Sequence, residues 1–105
     1  MEVRINYINR YGKNALVHID TEVVYVEEES EKVFVNCEYE EKANTLINLF
    51  ALKEEWVSER CSKPKFEVTF KNKNRSQKYR FNNNLPSNFF LFNACVSRLL
   101  GDLYE

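Results

Sequence analysis

"EEKANTLINLFALKEEWVSER", Glu40 to Arg60, is where the hydrophobic period of the chain changes. Before it, apolar residues recur at every second position. Within it, Ala43, Leu46, Ile47, Phe50 and Val57 fall on one side of a helical wheel. The acids Glu38, Glu40 and Glu41 suit the positive dipole end of a helix, and Pro64 in "SKPK" stops it. The stretch therefore predicts a helix over about 40–60. Its apolar arc is wide, because Leu49, Leu52 and Trp56 form a second stripe beside the first. That stripe reads either as a broad core contact or as a partner-binding face, since Trp is enriched at binding hot spots.

Upstream the period is two. Val3, Ile5 and Tyr7 alternate with Glu2, Arg4 and Asn6, and "NRYGKN" (Asn9–Asn14) reads as a turn in which Gly12 takes positive φ. Ala15, Val17, Ile19 and Thr21 alternate with Leu16, His18 and Asp20. Because the apolar run continues to Val26, the pattern predicts one long or bulged strand. "EEESEK" (Glu27–Lys32) reads as a polar connection, and Val33, Val35, Cys37 and Tyr39 as a third strand face. Downstream, Phe66, Val68 and Phe70 face one way and are joined by Tyr79 and Phe81 after the turn "NKNRS", while Lys71, Lys78 and Arg80 face the other. Ser87 or Asn84 then caps a second helix, to about residue 104, with Phe89, Phe92, Val96, Leu99, Leu100 and Leu103 as its core stripe.

The expected fold is α+β: a single domain over residues 1–105 in the order β-β-β-α-β-β-α, a two-layer sandwich with a five-stranded antiparallel sheet and both helices on one face. Residues 24–57 and 66–103 form a possible β-β-α pseudo-repeat, with Phe34 corresponding to Tyr79 and Ile47 to Phe92.

At 105 residues with 44% hydrophobic and 30% charged residues, the chain can bury a core of its own. Phe89–Leu100 is too short and too polar to span a bilayer, and no cationic leader precedes an apolar run, so a cytoplasmic protein without membrane association is expected. Cys37, Cys61 and Cys95 are an odd, widely spaced set with no C-x-x-C pair, and His18 is the only histidine. No disulfide, metal site or cofactor is expected.

Charge is segregated along the chain behind a net charge of −1. Nine acids and one base occupy Asp20–Glu41, whereas eight bases and one acid occupy Arg60–Arg80. Three readings stay open: the two regions neutralise each other side by side in the sheet, the basic hairpin grips nucleic-acid phosphate, or one or both regions dock on a partner protein. The second would use Lys71, Lys73, Arg75, Lys78 and Arg80. Against it, the pI is about 5.9 and the hairpin's aromatic residues alternate inward. The third would use the acids Glu27, Glu28, Glu29 and Glu31, with Leu52 and Trp56 as an apolar second choice.

Catalysis has little support. His18 and Asp20 share a strand face, but no motif sets a nucleophile beside them. With Gly12 and Gly101 the only glycines, no phosphate-cradling loop exists. The expectation is a small non-enzymatic protein-binding domain of the inhibitor, immunity or phage anti-defence type, which occludes a partner protein that is itself basic or nucleic-acid-processing. The alternatives are a nucleic-acid-binding module using the hairpin 65–82, and a homo-oligomeric, chaperone-like or structural protein in which the Trp56 stripe forms a dimer face.

Overall fold

The computed structural model describes residues Met1–Tyr104 as an α+β protein: a six-stranded antiparallel sheet and two helices. The strands are β1 (Glu2–Ile8), β2 (Asn14–Asp20), β3 (Val24–Glu28), β4 (Glu31–Phe34), β5 (Phe66–Asn72) and β6 (Arg75–Phe81). The helices are α1 (Tyr39–Leu52) and α2 (Phe89–Leu100). The order across the sheet is β4-β3-β2-β1-β5-β6. Val3, Ile5, Val17, Ile19, Val24, Val68, Phe70 and Phe81 face the helices and are buried together with Leu46, Leu49, Phe92 and Val96.

Six strands replace the expected five because the run Ala15–Val26 is broken. The Asp20 carboxylate oxygen Oδ1 accepts the backbone N–H groups of both Glu22 and Val23 at 2.7 Å, and the Asp20 N–H donates to Val23 O at 3.0 Å. An aspartate that satisfies the backbone two and three residues ahead makes a turn without glycine or proline. The expected polar connection Glu27–Lys32 is likewise a tight hairpin. Glu27 and Glu28 lie inside β3, and only Glu29 (φ 50°) and Ser30 (φ 69°) form the turn. The strand expected over Val33–Tyr39 ends at Phe34.

Both helices are shorter than expected. After Leu52 a single 3₁₀ turn, Lys53–Glu55, leads to Trp56, whose backbone is extended. Trp56 turns into the core there, its indole N–H donating to Asn88 Oδ1 at 2.7 Å, while Asn88 Nδ2 donates to Leu52 O at 2.8 Å. Asn88 is the residue before α2, in place of the expected cap at Ser87 or Asn84, and its side chain ties the two helices together instead of capping. The wheel of α1 is rotated from the expected one. Leu46 and Leu49 are fully buried, Ile47 is 55% exposed, and Val57 lies beyond the helix at 82%. The residue matches of the pseudo-repeat also fail: Phe92 is buried where Ile47 is exposed, and Phe34 and Tyr79 lie on opposite faces of the sheet. In α2 the stripe Phe89, Phe92, Val96 and Leu100 is buried, and Leu103 falls in a 3₁₀ turn after Gly101 (φ 61°), 41% exposed. No helix among the described residues is long and apolar enough to cross a membrane.

Candidate partner-binding edge

The strand order places the two charged hairpins at opposite edges of the sheet. Acidic β3–β4 and basic β5–β6 have β2 and β1 between them, so β3 and β5 are about 14 Å apart and β4 and β6 about 24 Å at ordinary strand spacing. Their turns also point to opposite ends. With neighbouring strands antiparallel throughout, the Glu29–Ser30 turn lies beyond the end of the sheet where β1 finishes, and the Lys73–Asn74 turn beyond the end where β1 begins. The screening length at physiological salt is about 8 Å, so the two hairpins do not neutralise each other.

At the acidic edge the pleat divides the four acids between faces. Glu27 pairs with Leu16 on the sheet face away from the helices. Glu28 pairs with Ala15 and Glu31 on the helix side, and Glu29 is in the turn. Glu28 and Glu31 are like charges directly opposite each other. Partial compensation comes from the first turn of the chain: Lys13 Nζ is 3.7 Å from Glu28 and 3.4 Å from Glu29, and Asn9 Nδ2 donates to Glu28 at 3.1 Å. Lys32 lies opposite Glu27, but its ammonium sits 4.7 Å from the centre of the Tyr25 ring. On the helix side Val26, Val33 and Leu103 line a shallow groove of about 410 Å³, with Glu28, Glu29, Glu31 and Asp102 and the one cation Lys13 around it. On the other side Phe34 is 62% exposed beside Tyr25, ring centres 5.5 Å apart. Val33 and Phe34 were invisible as site residues because alternation marks a strand without saying that the strand is an uncovered edge.

At the basic edge Lys78 and Arg80 point away from the helices and share Glu67, at 3.7 and 2.9 Å. Lys71, Lys73 and Arg75 have no ion-pair partner among the described residues. Phe70 and Phe81 are fully buried, and Tyr79 packs against Phe70 and Trp56. Beside the far end of β6 the connecting segment makes two hydrogen bonds: the Glu59 N–H donates to Arg80 O and the Arg80 N–H to Ser58 Oγ, both at 2.8 Å. Glu59 Oε1 accepts the backbone N–H groups of Asn82, Asn83 and Asn84 at 3.2, 3.0 and 2.7 Å, which hold its carboxyl below the usual range.

The apolar choice, Leu52 and Trp56, does not form a surface. Trp56 is 5% exposed and packs among Phe70, Tyr79, Phe81, Phe89 and Phe92, with ring centres 4.9 to 5.8 Å away; Leu52 packs beside this core. Of the broad apolar arc, Leu46, Leu49, Phe50, Leu52 and Trp56 pack in or against the core, whereas Ile47 and Val57 stay exposed.

His18 and Asp20 do interact, on the open sheet face, and draw in two residues of β1. His18 Nε2 and Asp20 Oδ2 are 2.7 Å apart, Arg4 Nε is 3.3 Å from His18 Nδ1 and 3.2 Å from Glu2, and the imidazole stacks on Tyr25 at 4.8 Å. Arg4 can only donate, so Nδ1 accepts and Nε2 carries the proton towards Asp20. Glu2, His18 and Asp20 bring potential ligand atoms within 4.8 Å of one another. A cation on Nε2 would need the proton on Nδ1, facing the Arg4 N–H. The donor set therefore does not fit a metal ion, and both imidazole nitrogens are engaged rather than free to act as a base. No protein-family model, curated protein or solved structure matches the chain.

Proposed function

We propose that this chain is a non-enzymatic protein-binding domain that seats a basic partner protein on the acidic edge of its sheet, occluding the partner's surface as a small inhibitor or immunity protein does. The observation that supports it is the acidic hairpin standing at a free edge, beyond screening range of the basic one and flanked by exposed Val33 and Phe34. Segregated charge steers encounter, and an adjacent aromatic gives the dry contact that charge alone lacks. The groove suits a lysine or arginine side chain of the partner, with its stem against Val26, Val33 and Leu103 and its head towards Glu31 and Asp102, the two carboxylates that Lys13 does not pair with.

Carbodiimide cross-linking in lysate, which joins carboxylates to lysines, followed by binding kinetics with the purified partner, tests this. The cross-link is expected at residues 28–31. Glu29→Lys with Glu31→Lys should slow association about ten-fold at low salt and flatten its salt dependence, with little change in melting temperature. Phe34→Ala should speed dissociation. An association rate indifferent to the charge reversal would overturn the reading.

A second reading has its own observation: Lys71, Lys73 and Arg75 lie unpaired around one turn and could contact phosphate. With the neighbouring rings buried, only salt-dependent contacts without base stacking are available. A gel shift with a generic single strand and duplex at physiological salt, abolished by Lys73→Glu with Arg75→Glu, would favour it over the first.

A further inference from the structure

We infer that the basic partner adds an extended segment to the sheet, antiparallel to β4, whose sequence reads apolar, apolar, polar, basic from its N-terminal end. The inference rests on the acidic edge of the proposed function and names the kind of segment that edge takes.

The backbone of β4 invites a strand. The Val35 N–H donates to Val24 O at 2.8 Å, and the turn Glu29–Ser30 closes on the pair Glu28–Glu31. By the period of two, Val33 and Glu31 exchange ladder bonds with β3, while the N–H and C=O groups of Lys32 and Phe34 point out of the sheet. Nothing among the described residues takes these groups, and all four residues of β4 are exposed. An added strand satisfies them all. The opposite edge is less suited. On β6 the Arg80 N–H and C=O are held by Ser58 and Glu59, and the uncovered residues Ser76, Gln77 and Lys78 offer no apolar side chain.

The side chains of β4 set the sequence of the segment. An antiparallel strand meets Phe34 first, then Val33, Lys32 and Glu31. Opposite Phe34, on the open face, an apolar or aromatic residue extends the Tyr25–Phe34 pair. Opposite Val33, on the helix side, an apolar residue packs towards Leu103. Lys32, on the open face again, excludes a cation. Glu31 takes the base: it faces Glu28, which Lys13 already pairs with, and Asp102 lines the same groove. The positions opposite Val33 and Glu31 are non-hydrogen-bonded pairs, in which side chains lie closer.

NMR titration of the isotope-labelled full chain tests this, with a blocked peptide that carries phenylalanine, valine, threonine and lysine in that order. The amides of Lys32 and Phe34 should shift and gain protection from exchange. Moving the lysine one place earlier, opposite Lys32, should weaken binding about ten-fold. N-methylation of the phenylalanine or the threonine, whose N–H groups face β4, should abolish binding. N-methylation of the valine, whose N–H faces away, should spare it. Glu31→Lys should lose this peptide and bind one with glutamate in place of lysine. No shift at millimolar peptide overturns the inference, as does binding indifferent to which N–H is methylated. A foreign partner that cross-links at residues 28–31 and senses the charge reversal, yet leaves the Lys32 and Phe34 amides unprotected, also overturns it while the proposed function stands. The proposed function fails separately, on an association rate indifferent to that reversal.

Discussion

At the scale of single residues, three side chains perform tasks that their position in a pattern does not announce. Asp20 makes a turn and holds His18. Burial pushes its carboxyl up, but the His18 hydrogen bond and the N–H groups of Val23 and Glu22 outweigh this and keep it below its ordinary value of 3.8. A carboxylate with a lowered folded pKa contributes stability that is present above its unfolded pKa and lost as the pH falls through the folded one. Asp20→Asn is therefore expected to lower the unfolding free energy by about 1–2 kcal/mol at neutral pH. The gap from wild type should shrink below pH ~4, as denaturant titrations in acid would show. Ser30 sits in the left-handed region with Glu29, where glycine is at home. Ser30→Gly should stabilise the chain by about 0.5–1 kcal/mol, read as a higher melting temperature. Trp56→Ala should cost about 3–5 kcal/mol, and a small loss in a melting experiment would contradict its place in the core.

At the scale of elements, the legible parts were those whose burial follows from local alternation. Val3, Ile5, Val68 and Phe70 face the core because each strand there has one wet side, and period two then assigns every residue. The break at Asp20 was hidden because apolar residues continue on both sides of it, and a hydrogen-bonded carboxylate leaves no mark in a hydropathy pattern. The phase of α1 differs from the expected one because its apolar arc is wide, so Ile47 and Leu49 compete for its centre. Burial in the core between sheet and helices decides for Leu49. The acids of the candidate edge were legible as a run. Their division between faces was not, since it requires Glu27 and Glu28 to continue β3 in register with β2 and Glu31 to open β4, where the run of acids reads as a loop. The segment beside β6 yields a prediction at this scale. Glu59→Ala removes the acceptor of three consecutive N–H groups, so hydrogen exchange at Asn82, Asn83 and Asn84 should accelerate while the amides of β1 keep their protection.

At the scale of the whole molecule, the governing feature is that the two charged hairpins are kept apart. Had they adjoined, the net charge of −1 would have reported a neutral surface, and salt would weaken the fold by screening attraction between them. In the observed order the acidic edge keeps like charges close together: Glu28 faces Glu31 across the β3–β4 pair, with Glu29 in the turn between them, and Lys13 alone pairs with Glu28 and Glu29, leaving Glu31 uncompensated. At the basic edge Lys71, Lys73 and Arg75 crowd one end of a hairpin, and only Lys78 and Arg80 share an acid, Glu67. Screening then relieves repulsion within each edge more than it weakens the exposed pairs, each worth about 0–1 kcal/mol. The melting temperature is expected to rise slightly as monovalent salt increases from low to physiological strength, the opposite of the trend for adjoining hairpins. Glu31→Gln removes one member of the opposed pair. It should stabilise the chain at low salt by about 0.2–1 kcal/mol, with a smaller gain at high salt. Calorimetry of wild type and this variant at two salt concentrations reads both effects. A melting temperature that falls with salt, with Glu31→Gln less stable than wild type, would mean that Glu31 too is compensated within the chain, as Glu28 and Glu29 are by Lys13, and that the edge is not a surface held open for another.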